Sequence, residues 1–132
     1  MLDRFFCYGT LQSPEILRAV IGRNLTSRRA SLDGYACYRI SGECYPGLVP
    51  AASHRTNGVV YLGLTRREMM LLDRYEGLLY QRKPVEVIDT DGTAIKAWTY
   101  VVKTAHYHRV TCEPWSLDEF ESDNLSGYLR KI

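Results

Sequence analysis

The chain has 132 residues, 45% of them apolar and 24% charged, with a formal net charge of +2. That is ordinary globular composition and enough chain for a single core. So slight a net charge, with the arginines scattered, gives no footprint for nucleic acid or an anionic membrane surface. The pair Arg28-Arg29 reads as a solvated strand face.

In chain order, Asp3 to Cys7 predicts a buried first strand. The apolar run then breaks at Gly9, and Ser13-Pro14 supplies an N-cap followed by proline at the first helical position, with a helix running to about Gly22. The segment Tyr8 to Gln12 thus joins a strand end to a helix start, an arrangement that offers free backbone N–H groups to an anion. Taken alone, it reads first as a plain turn in which Thr10 satisfies local backbone groups. Tyr35 to Ile40, Gly47 to Pro50 and Gly58 to Leu64 are short strand candidates.

A second helix is expected over Thr65 to Tyr75. Thr65-x-x-Glu68 is a capping box, and Gly77 is placed to end the helix. Glu76 then falls in the last turn, where the negative end of the helix dipole disfavours its ionised form. Desolvation would raise its pKa further, towards the range in which a carboxyl both takes and returns a proton near neutral pH. A solvated surface glutamate that happens to precede a helix-ending glycine is the plain alternative. Asp73, three residues earlier on the same face, would add like-charge repulsion or else pair with Arg74 or Arg82.

Arg82 to Asp89 is expected to pair with Ala94 to Val102 across the turn Asp91-Gly92. On the second of these strands Tyr100 alternates with Trp98, which would turn its hydroxyl into the sheet's interior; a packed core tyrosine fits the same pattern. Ser116-x-x-Glu119 caps one last helix, with Leu117, Phe120, Leu125 and Tyr128 at helical spacing. His106-x-His108, on an expected strand, would point two rings the same way with Cys112 nearby, but further ligands at sensible spacing are missing.

The four cysteines, Cys7, Cys37, Cys44 and Cys112, show no CxxC spacing, so buried thiols are expected in place of a disulfide framework or zinc ribbon. No stretch approaches the roughly 18 apolar residues of a membrane span, and no leader pattern is visible. The expectation is a soluble cytoplasmic protein. A hydrolase with Cys7 or Cys44 as nucleophile would need a histidine partner, and neither has one near it in sequence.

Three motifs, in this order, carry a resemblance: Tyr8-Gly9-Thr10-Leu11, then Tyr45-Pro46-Gly47-Leu48-Val49-Pro50, then Leu72-Asp73-Arg74-Tyr75-Glu76-Gly77 with Tyr80 and Arg82 behind it. The chain resembles the γ-glutamylcyclotransferase-like family, its γ-glutamylamine cyclotransferase branch in particular, from about Leu2 to Val102. The resemblance implies an α+β fold, a small closed mixed β-barrel of about six strands with flanking helices. Residues 1–132 would form one domain, with 103–132 a C-terminal extension ending in a helix.

It also implies an activity: closure of a γ-glutamyl group to 5-oxoproline with release of an amine or amino acid, without metal or cofactor. Glu76 corresponds to the family's proton-carrying glutamate. Gly9, Thr10 and Leu11 correspond to the loop that holds the substrate's α-carboxylate, with Tyr8 on the wall. Tyr45, Tyr80, Tyr100 and Arg82 are further candidates for substrate contact, although a supporting ion pair would equally occupy Arg82. The partner implied is a small γ-glutamyl molecule, with no nucleic acid and no membrane. A non-catalytic carboxylate-binding module on the same fold is the alternative; a binder has no need of a carboxyl beside the substrate amine.

Overall fold

The computed structural model describes residues 3–132. Met1 and Leu2, the latter the start of the resemblance, lie outside the described residues. Six strands form one mixed sheet: β1 (Phe5–Cys7), β2 (Ser27–Ile40), β3 (Pro46–Tyr61), β4 (Tyr80–Asp89), β5 (Ala94–Val102) and β6 (Val110–Pro114). β1 lies between β3, antiparallel, and β5, parallel. The further pairings β3–β2, β2–β4 and β4–β5 close these five strands on themselves, and β6 is added to β2 outside the ring. The expected closed mixed barrel with flanking helices is therefore present.

β1 explains its own apolar run. Side chains alternate across a strand, and here both faces are covered, so Phe5 and Phe6 are each almost wholly buried. Phe6 joins Leu32, Val60, Val87 and Ala97 from the surrounding barrel strands in one cluster. Phe5 faces the other way, into a cluster that receives Ile16 and Leu17 from helix α1 (Pro14–Ile21), Met69 and Leu72 from helix α2 (Arg66–Glu76), and Phe120. Closure leaves few unpaired edges, and the helices cover one flank of the ring.

The sequence signals differ from the structure in four places. Tyr35 to Ile40 and Gly47 to Pro50 are parts of two long strands, β2 and β3, paired from Ser27↔Tyr61 to Arg39↔Pro46, and of the expected Gly58 to Leu64 only Gly58 to Tyr61 belongs to β3. Their polar middles are a solvated ladder: Asp33 opposes Arg55 with an ion pair at 2.7 Å, and the register shifts beside Gly34 at φ +83°. The tail beyond Lys103 supplies the unexpected β6.

The last helix is two, α3 (Leu117–Asp123) and α4 (Leu125–Lys131), separated at Asn124, which leaves helical geometry at φ −125°. His106 and His108 sit in a 3₁₀ turn, Thr104–Arg109, and not on a strand, with their ring centroids 6.4 Å apart. Among the described residues no group of three or more His, Cys, Asp or Glu is placed to hold a metal.

The elements that set the site form as their local signals dictate. α1 starts at Ser13 with Pro14 at its first position and ends at Gly22, φ +89°. α2 carries the capping box in full, Thr65 Oγ1 accepting from the Glu68 N–H and the Glu68 carboxylate from the Thr65 N–H. Glu68 also receives Arg23 at 2.6 and 2.8 Å, one oxygen each. That two-point pair ties the start of α2 to the loop after α1. Among the described residues no helix is long and apolar enough to cross a membrane.

Candidate active site

Between the end of β1, the end of α2 and the loop entering β3 lies a cavity of about 140 Å³. The roughly 300–1,000 Å³ of drug-sized pockets is well above this; the space suits one amino-acid-sized group.

One wall is the turn after β1. The segment Thr10–Gln12 is a 3₁₀ turn whose first internal bond is Gln12 N–H to the Gly9 carbonyl, so the N–H groups of Gly9, Thr10 and Leu11 precede the helical ladder. Those of Gly9 and Leu11 bear on the Cys7 sulfur, partly offsetting the burial that pushes its thiol pKa well up. The Gln12 side-chain amide donates to the Tyr8 carbonyl at 2.8 Å and braces the turn. Gly9 is needed by contact: a Cβ there would stand 3.0 and 3.2 Å from Pro46 Cγ and Cδ. The glycine turn and the Tyr45-Pro46 loop are pressed together at this point.

The facing wall is the end of α2. Glu76 is half-buried and lines the cavity. Its carboxylate makes no hydrogen bond among the described residues, and no fully buried side-chain N or O atom lacks a partner among them. Its oxygens therefore retain access to the cavity space. Desolvation by the surrounding protein, and secondarily the Asp73 charge, push its pKa up to about 8. Asp73 is itself held by the Tyr100 hydroxyl at 2.6 Å and by Arg82 at 3.0 Å.

Phenols make up most of the remaining lining. Tyr8 donates to the Tyr100 carbonyl at 2.6 Å, and Tyr80 to the Pro46 carbonyl at 2.5 Å. Burial raises the pKa of both, so they stand as neutral hydroxyls against a carboxyl that changes its charge. The Tyr75 hydroxyl bonds Thr10 Oγ1 at 3.0 Å and also meets the Tyr128 hydroxyl.

Of the residues singled out in the sequence, Tyr8, Gly9, Thr10, Leu11, Tyr45, Glu76, Tyr80 and Tyr100 line this one cavity. Arg82 does not. Its guanidinium pairs with Asp73 and lies 4.5 Å from the centre of the Trp98 ring, in a shallow groove behind the helix end. Two wall tyrosines, Tyr75 and Tyr128, are not among the residues that the sequence singles out. Tyr75 stood inside a quoted motif; Tyr128 had only apolar spacing, which reads as core.

Comparison with known proteins fits this geometry. A family model described as "Gamma-glutamyl cyclotransferase, AIG2-like" matches residues 5–117. AIG2-like protein C of Arabidopsis thaliana is 37% identical over 125 residues, 94% of this chain and 72% of that protein. A solution structure from Arabidopsis thaliana superposes with a TM-score of 0.77 at 26% identity, covering 98% of this chain and 87% of the other. A structure described as a gamma-glutamyl cyclotransferase shares the fold, with a TM-score of 0.71 at 16% identity over 99% and 86% of the two chains. With its barrel, its glycine turn and its helix-end glutamate on one cavity, the chain belongs to the AIG2-like gamma-glutamyl cyclotransferase family.

Proposed function

We propose that the protein cyclises the γ-glutamyl group of a small molecule to 5-oxoproline and releases the attached amine. The observation that carries this reading is Glu76: a carboxyl on an amino-acid-sized cavity, without a hydrogen-bond partner among the described residues, with its pKa pushed up to about 8.

The chemistry needs little covalent help. The substrate's α-amine attacks its own side-chain carbonyl carbon, forming the ring C–N bond, and the bond from that carbon to the outgoing nitrogen then breaks. Nucleophile and electrophile belong to one molecule, so holding the ring-closing conformer is worth an effective molarity of about 10⁵ M or more. The cavity is small and walled by buried side chains, which favours a folded γ-glutamyl group over an extended one.

Two proton transfers remain. The α-ammonium must lose a proton before it attacks, and the departing nitrogen must gain one, so one carboxyl serves as base and then as acid. An ordinary carboxylate is a poor acceptor from an ammonium, each unit of pKa mismatch costing about 1.4 kcal/mol. A glutamate near 8 is close to matched in both directions. On this reading the N–H groups of Gly9, Thr10 and Leu11 receive the α-carboxylate across from Glu76, and the four unpaired cysteines suit a reducing cytoplasm.

The test is 5-oxoproline release from a panel of γ-glutamyl amines and dipeptides, run beside Glu76→Gln. Turnover by the parent and a fall of about 10²–10⁴-fold in the variant is the expected result. Equal activity in both proteins would reject Glu76, and silence across the panel by folded parent would reject the reaction.

A further inference from the structure

The cavity has a mouth, and its composition is informative. Most of the lining, including Phe5, Cys7, Tyr8, Leu11, Tyr80 and Tyr100, is buried. The partly exposed lining residues are Tyr45, Tyr75, Glu76 and Tyr128. Tyr128 stands apart from the rest because it comes from α4 and lies beyond residues 5–117, the span that the family model matches.

Tyr128 is held at two points, its ring and its hydroxyl. Its ring meets Phe120 edge-on with centroids 5.4 Å apart, and Phe120, 1% exposed, packs in turn on Trp115 at 5.9 Å. The Trp115 indole N–H donates to the Cys44 carbonyl at 2.7 Å, next to Tyr45. The second tie on Tyr128 is the hydroxyl contact with Tyr75, which continues to Thr10 on the glycine turn. Tyr45 and Tyr128, both at the mouth, are therefore linked through an aromatic chain in the C-terminal segment, and the frame is a set aperture.

We infer that Tyr128 is a specificity-determining residue: its ring limits the size of the group carried on the γ-nitrogen, so the site takes γ-glutamyl amides of small, unbranched amines ahead of bulky ones. This rests on the cyclotransferase reading for which end of the ligand lies where. With the α-carboxylate at the glycine turn and the α-amine near Glu76, the γ-substituent is left with the mouth as its way out. A ring held there by packing rejects bulk by overlap, and overlap in a packed site is costly to relieve. The seven-residue α4 thereby contributes to selection as well as to covering the barrel flank.

The test separates size selection from chemistry by using glutaryl monoamides, which keep the carboxylate and the amide but lack the α-amine and so cannot cyclise. Dissociation constants of the N-methyl and N-(2-phenylethyl) monoamides of glutaric acid are measured by calorimetry for the parent, Tyr128→Ala and Tyr128→Phe. The expected result is at least an about tenfold relative gain for the bulky amide in Tyr128→Ala, with Tyr128→Phe within about twofold of the parent's ratio, on the scale by which a pocket senses bulk.

An unchanged ratio in folded Tyr128→Ala would overturn the assignment, as would a shift as large in Tyr128→Phe, which would place the effect in the hydroxyl. Failure of the parent to bind either amide would overturn it as well. Binding of the amides without 5-oxoproline release from their γ-glutamyl counterparts would instead reject only the cyclotransferase chemistry and leave the aperture standing.

Discussion

Thr10 and Tyr75 share a hydrogen bond of 3.0 Å between their hydroxyls, and it joins the turn after β1 to the last turn of α2, 65 residues away in sequence. Tyr75 immediately precedes Glu76, so the bond fixes how the helix end is rotated towards the glycine turn. Burial raises the Tyr75 pKa far above its usual value, which keeps the phenol neutral throughout the working range. Tyr75→Phe deletes this bond and the one to Tyr128 while keeping the ring. We expect a loss of about 1 kcal/mol in stability and roughly tenfold in kcat/KM, since about 1.4 kcal/mol is a factor of ten. Thermal melts read beside kinetics check both; a lower Tm with unchanged kcat/KM would show that the bond braces the fold without aligning the site.

The charge next to Glu76 gives a second expectation. Asp73 raises the Glu76 pKa, as the smaller contribution after burial. Asp73→Asn removes that repulsion while leaving an oxygen to accept from Tyr100. The acid limb of the pH–rate profile, where the base form of Glu76 is lost, should therefore move to lower pH by about half a unit, with most of the elevation remaining because burial is untouched. A limb that stays in place, or moves up, would sink the assignment of that limb to Glu76.

Stability and pH are linked with opposite signs at the two ends of α2. Glu76 has a folded pKa of about 8 against an ordinary 4.5. Between those values the unfolded chain holds fewer protons than the native one, so stability falls as pH rises from about 4.5 through about 8. Glu68 is the reverse: Arg23 foremost, against the opposing effect of burial, lowers its pKa to about 2, so its contribution is present above about 4.5 and is lost as pH falls through about 2. Glu76→Gln should accordingly gain stability over the parent as pH is raised, by about 1 kcal/mol or more at pH 8. Denaturant titrations at pH 5 and pH 8 measure this, and an advantage that does not grow with pH would mean that Glu76 is not desolvated.

How much of this was legible in the sequence depended on how local the signal was. Ser13-Pro14, the Thr65–Glu68 box, Gly77 and Asp91-Gly92 act within a turn of chain, and each stands where its chemistry puts it. The long hairpin of β2 and β3 was illegible because Ser31-Leu32-Asp33 and Ser53 to Asn57 look like loop until the partner strand supplies the opposing residues. A raised Glu76 pKa could be anticipated from its helix-end position, whereas its desolvation is a property of walls drawn from β1, the Tyr45 loop and α4. Tyr128 was least legible of all. Its spacing with Leu125 marks an apolar helix face, and only the aromatic chain through Phe120 and Trp115 turns one member of that face towards the mouth.

Gly9 provides the sharpest separation of site from fold. A methyl group at Gly9 would meet the Pro46 ring at 3.0 and 3.2 Å, closer than van der Waals contact allows, and a proline ring has little freedom to withdraw. The turn itself would have to shift by a few tenths of an ångström, carrying with it the Gly9 to Leu11 backbone that lines the cavity. Gly9→Ala should therefore cost about 1–3 kcal/mol as an overpacked contact, and raise KM for a γ-glutamyl substrate about tenfold with kcat less affected. Gly22→Ala is the contrast: nothing lies within 4 Å of its Cβ, but φ is +89°, so it should lose about 1 kcal/mol at the end of α1 with KM unchanged. Equal KM values for the two variants would show that the glycine turn does not hold the ligand.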